Sequence, residues 1–239
     1  MVTTTAFAGK YQDCATELVQ TAQNGQSAKT IFEDLAKATL NDLKSELNSD
    51  DQKFAFWMNL YNGAVQHLLT ENPNLFDDRS KFFSTPRLTI GGVLMSLDDI
   101  EHGMIRKSKV KLSLGLLGKW FVSNFEKSLR VNQINPRIHF ALNCGAKSCP
   151  AVAIYDASRV QEQLDVAAQQ YLAETTTYLL DQNKVQVTAL MSWFRGDFGG
   201  LAGAKAMLKS YNLIPEDANP SIEFKDYDWT LELGNYKTL

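Results

Sequence analysis

A chain of 239 residues with 44% hydrophobic, 10% aromatic and 21% charged residues has the composition of a folded globular protein, far from the low-hydrophobicity, high-charge signature of disorder. Its 24 Lys+Arg against 27 Asp+Glu leave a formal net charge of -3, so no overall basic field exists to hold a nucleic-acid backbone, and nucleic acid is excluded as an expected partner. No run of about 18 apolar residues predicts stable membrane insertion, and residues 1–10 lack the basic start and apolar core of a signal peptide. The compartment stays open between cytoplasmic and, if a signal peptide has been removed, periplasmic or secreted.

Without repeats or a Gly/Pro-rich linker, the sequence predicts one domain over 1–239, with N-terminal helices over 6–47 packing on a core from about 50 to 233. Tyr11, Ala15, Leu18, Val19 and Ala22 recur at helical spacing between Ala6 and Asn24, and Ile31 to Leu47 reads as a second helix broken near Thr39. Ser49 and Asp50 are caps for a third, Asp51 to Thr70, whose stripe of Phe54, Trp57, Tyr61, Ala64, Val65 and Leu68 predicts burial. Arg87 to Met95 reads as a hairpin turning at Gly91-Gly92, and Ser96 with Asp99 as a capping box opening a helix through about Lys107. Lys111 to Leu129 is either a helix or, loosened by Gly and Ser, a flexible cover. The apolar run Arg137 to Leu142 predicts a buried strand feeding the turn Asn143 to Pro150. A helix over Asp156 to Thr176, a strand over Lys184 to Ala189, a helix over Leu201 to Tyr211 and an extended end, Ile222 to Leu233, bent near Asp226, complete the pattern. The fold class this predicts is α+β: helix-rich, with a small, mostly antiparallel sheet.

The chemistry-bearing residues concentrate around Cys144 and Cys149, since a loop leaving a buried element presents reactive groups on a rigid base. Pro150 suits the first position of a helical turn, which would aim free amides at the Cys149 sulfur and favour a thiolate; taken alone, a cysteine pair is more often two buried apolar side chains or a disulfide closing a short loop. Among the three histidines, His102 has Asp98 at i−4 and Arg106 at i+4, one helix face carrying carboxylate, imidazole and guanidinium, or simply a solvated charged stripe. His139, on the predicted strand, would share a face with Arg137, Ala141 and Asn143. His67 reads as an ordinary interfacial residue. Asn59 and Asn62, in an otherwise apolar helix, either anchor a loop backbone or orient an imidazole or an oxyanion.

Five segments resemble the domain-of-unknown-function family 547: Phe56-Trp57-Met58-Asn59-Leu60-Tyr61-Asn62-Gly63; Leu97-Asp98-Asp99-Ile100-Glu101-His102; Arg137 through Pro150; Ser192-Trp193-Phe194 with Asp197-Phe198; and Tyr227-Asp228-Trp229. The resemblance spans about residues 50–230. It implies that Asn59, Asn62, His102, His139, Cys144 and Cys149 belong to the family's pattern and leaves His67 outside it; it carries no catalytic roles, and its bacterial members commonly look exported.

Two functions follow as expectations. The first is a cysteine-dependent hydrolase or acyl transferase acting on an amide, ester or thioester, with Cys149 as nucleophile, His102 or His139 as base, Cys144 and Asp98 beside them, and Asn59, Asn62, Ser148 and Arg106 as substrate contacts. No histidine follows Cys149, so only a histidine-first order, as in permuted papain-like folds, is available. The second is a non-catalytic module whose Cys/His/Asn cluster holds loops around a small molecule or peptide. A third reading, a metal site drawing on His102, His139 and the cysteines, is the least favoured, because no close pair such as Cys-x-x-Cys or His-x-x-x-His is present; no cofactor is expected.

Overall fold

The computed structural model describes residues 9–239. Helix α1 covers Lys10–Gln23, so the predicted start at residues 6–8 lies outside the described residues. The break expected near Thr39 separates α2 (Lys29–Lys37) from α3 (Leu40–Glu46): Ala38 is extended, and Thr39 and Asp42 cap each other's backbone in a reciprocal box. The same device, Ser49 with Gln52, starts α4 (Asp50–Glu71). Helix α4 is more deeply buried than a one-sided stripe implies, with Phe56, Trp57, Met58 and Leu60 all sealed, as a helix apolar around most of its circumference must be. At Gly63 a Cβ would lie 2.8 Å from Leu18 Cγ, so α1 and α4 cross where only glycine fits.

A 3₁₀ segment, Pro73–Asp78, leads into α5 (Arg79–Ser84). Strands β1 (Leu88–Ile90) and β2 (Val93–Met95) form the expected antiparallel hairpin, turning on Gly91 and Gly92 at φ +59° and +74°. The Ser96–Asp99 box is present, and the helix it opens is a wide π-type turn, Asp99–Ile105. Beyond it the chain runs irregularly to α6 (Asn124–Leu129), so most of the Lys111 to Leu129 segment is cover rather than helix.

The predicted strand from Arg137 to Leu142 does not form. Pro136–Phe140 is a 3₁₀ helix, with Pro136 preset at its first position and the Asn135 side chain accepting from the Arg137 amide. A short apolar run has the same composition whether it is buried as strand or helix, and here the local cap decides. Two-residue alternation therefore does not govern His139.

Helix α7 (Val160–Thr175) is followed by β3 (Thr177–Leu179) and β4 (Lys184–Val187), then α8 (Leu190–Trp193), α9 (Gly200–Ser210) and β5 (Ser221–Phe224). Antiparallel β3–β4 is extended by β5, which runs parallel to β4 with Ile222 opposite Val185. This is a helix-rich α+β architecture. The bend expected near Asp226 is where the chain leaves β5; the tail then crosses the cysteine turn through bridges from Leu231 to Ala146 and from Tyr236 to Val152. One apolar cluster surrounds α4, and a second, including Phe140, Tyr171, Val185 and Phe198, lies beneath β4 and α9. Trp57 and Phe140 are both buried, as expected.

Candidate functional site

The π-type turn and the 3₁₀ helix each deliver one histidine to a cleft of about 410 Å³. Its walls are largely apolar, with Phe83, Leu142, Leu190, Trp193, Phe194 and Trp229 among them, and Asp98, Glu101, His102, His139, Cys144 and Tyr227 also line it. Such a surface, apolar with a few convergent polar groups, is the usual character of a small-molecule site. Trp193 and Trp229 stack at 5.5 Å, and the Arg79 guanidinium lies 4.9 Å from the Trp229 ring centre.

Behind the histidines runs a buried polar chain. Arg106 Nη1 is 2.8 Å from His102 Nδ1, and because a guanidinium can only donate, Nδ1 accepts and the ring carries its proton on Nε2. That Nε2 is 3.6 Å from Asp98 Oδ1, while Asp98 Oδ2 is held by Lys111 at 2.7 Å. Arg106 Nε donates to Asp197 Oδ2 at 2.6 Å, and His139 Nε2 reaches the same oxygen at 2.9 Å. The Arg106 and Asp197 side chains are wholly sealed from solvent. The His139 ring stacks on Phe194 at 3.9 Å, and the Arg106 guanidinium covers the same Phe194 at 4.5 Å.

This environment sets the protonation states. Burial, followed by the Arg106 charge, pushes the His102 pKa down to about 3, so its ring is neutral near pH 7. Burial also lowers His139, against the opposing pull of Asp197. Asp197 is itself buried, yet its hydrogen bonds from His139 and Arg106 overcome that desolvation and hold the carboxyl below its ordinary value.

The cysteine turn places its two residues differently. Cys144 and Cys149 form a disulfide, so the expectation of Cys149 as a free reactive thiol is not met in this state. Cys144 lines the cleft with the histidines; Cys149 and Ser148 instead line a neighbouring cavity shared with Tyr171 and Lys237. Cys149 Sγ accepts from the Cys144 amide at 3.0 Å and from the Tyr227 hydroxyl at 3.2 Å. The sole remaining cysteine, Cys14, is buried in α1.

Of the six residues that the resemblance groups, Asn59, Asn62, His102, His139, Cys144 and Cys149, the cleft is lined by His102, His139 and Cys144. Asn59 and Asn62 act as loop anchors, sealed from solvent. Asn62 Oδ1 accepts from the Asn143 amide and its Nδ2 donates to the Ala141 carbonyl, both at 2.9 Å. Asn59 clamps Tyr155 in the same two-handed way, at 2.9 and 2.8 Å. Arg106, expected as a substrate contact, is likewise internal and is not among the residues that line the cleft; it is bonded to His102 and Asp197. His67 sits elsewhere, 3.3 Å from Glu71. Sequence reasoning gave no site role to Asp197, Glu101, Tyr227 or the aromatic pair Trp193 and Trp229. The available signal was their place in the segments that carry the family resemblance, Leu97–His102, Ser192–Phe198 and Tyr227–Trp229. No group of three or more His, Cys, Asp or Glu side chains arranged to hold a metal ion occurs among the described residues.

Fold and site together define a helix-rich α+β protein with an aromatic-walled cleft underlain by a buried His–Arg–Asp–His chain. The family described as "Protein of unknown function, DUF547" matches residues 45–172, just over half of the 239, and the chain belongs to that family. No curated protein and no solved structure matches it. Among the described residues, no helix is long and apolar enough to cross a membrane.

Proposed function

We propose that the protein is a ligand-binding module whose cleft takes a small molecule or peptide segment with a flat or apolar portion and a hydrogen-bond-donating or cationic head. The observation that carries this reading is that the groups a thiol enzyme would need are already engaged: the cleft cysteine is in a disulfide, and His102 accepts from a permanent cation. A neutral imidazole with a pKa of about 3 is too weak a base to draw a proton from a thiol of ordinary pKa, about 8.5. What remains available is recognition chemistry, with Trp193 and Trp229 as apolar walls and Asp98 and Glu101 as acceptors.

Titration with the neutral apolar dye N-phenyl-1-naphthylamine tests the reading. Saturable fluorescence enhancement, weakened about tenfold by Trp193→Ala or Trp229→Ala at unchanged circular dichroism, is the expected outcome, in line with the free energy an aromatic wall contributes. The competing hydrolase reading is tested on the same protein after reduction with a phosphine. Saturable turnover of a p-nitrophenyl acyl ester that Cys144→Ser or Cys149→Ser abolishes would replace binding with catalysis.

A further inference from the structure

The chain segment over 106–130 contrasts with the rest of the protein. It carries seven Lys and Arg and a single acidic residue, Glu126, in a chain whose net charge is -3. Arg106 is buried against Asp197, and Lys111 and Lys119 pair with Asp98 and Glu126, while Lys107, Lys109, Lys127 and Arg130 make no ion pair among the described residues. Within it Leu112, Leu116, Leu117, Trp120 and Phe121 are 90, 66, 61, 92 and 94% exposed. Scattered surface leucines need no explanation, but five large apolar side chains on one loop, two of them aromatic and almost fully exposed, do.

The exposure is held in place by the fold. The Leu114 carbonyl accepts from the Gly196 amide at 2.7 Å, and a Cβ on Gly196 would lie 2.6 Å from the Gly115 backbone, so the middle of the loop is clamped against the turn that carries Asp197. The Lys119 amide donates to the Ser108 carbonyl at 2.7 Å, closing the loop's base. Between these fixed points Leu116 and Leu117 are left in solvent, with Trp120 and Phe121 beyond the base.

We propose that this loop is a docking surface for an anionic lipid bilayer. Its charge is complementary to anionic headgroups, and its composition fits an interface of that kind: Trp at headgroup depth, Leu and Phe reaching the acyl boundary, and Lys with its long stem keeping its ammonium in water. A protein partner is the weaker fit, because the cores of protein interfaces are depleted in Lys. The contact is peripheral, and does not depend on the ligand reading of the cleft. It nevertheless has a consequence for access: Lys111 and Leu112 belong both to this loop and to the cleft wall, so docking brings one wall of the cleft to the lipid surface.

Co-sedimentation of the whole protein with phosphatidylcholine vesicles, with and without about one third phosphatidylglycerol, tests the proposal. Binding is expected only with phosphatidylglycerol, and it should fall at least tenfold when salt rises from about 0.1 M to about 1 M, as the screening length shrinks from ~10 to ~3 Å. Trp120→Ser with Phe121→Ser, and separately Lys107→Gln with Lys109→Gln, should each lower it about tenfold or more at unchanged thermal midpoint. A blue shift of the fluorescence on vesicle addition, lost in Trp120→Phe, should accompany binding. Absence of binding, equal binding to neutral vesicles, or variants that bind normally would overturn the proposal. So would a dimer in sedimentation equilibrium that the Trp120 and Phe121 changes dissociate, since the patch would then belong to a second copy of the chain.

Discussion

Replacing Arg106 by Met retains most of the side chain's length and removes its charge, leaving three dependents without their partner. Asp197 Oδ2 loses the 2.6 Å donor, His102 Nδ1 loses the 2.8 Å donor, and the Phe194 face loses its cation. Because Arg106 and Asp197 are both sealed from solvent, the comparison is with a buried pair broken from one side, which typically costs about 3–5 kcal/mol. The separate contributions of hydrogen bonds and cation–π contact are not to be added to that figure, since they describe the same stranded groups. At about 2–4 °C per kcal/mol for a chain of this size, the melting midpoint should drop by roughly 6–20 °C. The loss should depend on pH. With the guanidinium gone, the Asp197 anion still pulls a proton onto His139 while the Arg106 charge that opposed it has disappeared, so the variant regains part of its counter-charge below the ordinary histidine pKa. Urea unfolding followed by circular dichroism at about pH 8 and about pH 5.5 measures both effects. A loss under about 1 kcal/mol at the higher pH would show that Arg106 is not the counter-charge of Asp197, and an equal loss at both would exclude proton uptake by His139.

In the unaltered protein His102 stays neutral down to a pKa of about 3, whereas the unfolded chain binds its proton near 6.5; the unfolded state holds the extra proton between those values, so stability should fall with falling pH by about 1.4 kcal/mol per unit below 6.5, and a flat profile from pH 7 to 5 would contradict the assignment. Asn62→Ala should lower unfolding free energy by about 2–4 kcal/mol, because two buried backbone groups lose their partners; a change below about 0.5 kcal/mol in urea titration would mean that water replaces the amide. Gly63→Ala should cost about 1–3 kcal/mol by pushing α1 away from α4, a prediction that a neutral or stabilising effect on the melting midpoint would remove. Limited proteolysis should not yield two stable halves, since any cut between Arg106 and Asp197 followed by separation strands a buried charge.

Elements whose signals are local were legible in the sequence. Ser49 as a cap and the break near Thr39 were readable because each cap acts within one turn, though their partners Gln52 and Asp42 were not read, and the apolar stripe of α4 called for burial. The 3₁₀ helix at Pro136–Phe140 is not legible from its apolar run, which suits either periodicity; the deciding signal is Asn135-Pro136, a cap and a preset first position. The site was half legible for a related reason. The four-residue spacing put His102 and Arg106 on one helix face without saying whether they touch or lie in solvent, and in the fold they are hydrogen-bonded and buried. But the carboxylate that completes the chain is Asp197, 91 positions beyond Arg106, and no local spacing can announce a partner that far away. Asp98, the local candidate, gives one oxygen to Lys111 and stays 3.6 Å from the ring. For the cysteines, sequence left thiol and disulfide open, because separation along the chain does not determine whether two sulfurs meet.

The length of the Arg106–Asp197 connection bears on how the chain is born. At about 5–20 residues per second, a ribosome delivers Asp197 roughly 5–20 s after Arg106. Through that interval the guanidinium has His102 as an acceptor but lacks its carboxylate, and burying a cation without its counter-charge is costly, which favours a hydrated π-type turn until Asp197 arrives. Helix α4 waits longer still, since Gln66 Oε1 receives the Gly234 amide from 168 positions downstream. The carboxylate that neutralises Arg106 is thus made after helices α1 to α8, and closure of the core around the π-type turn is expected to follow its synthesis rather than that of those helices.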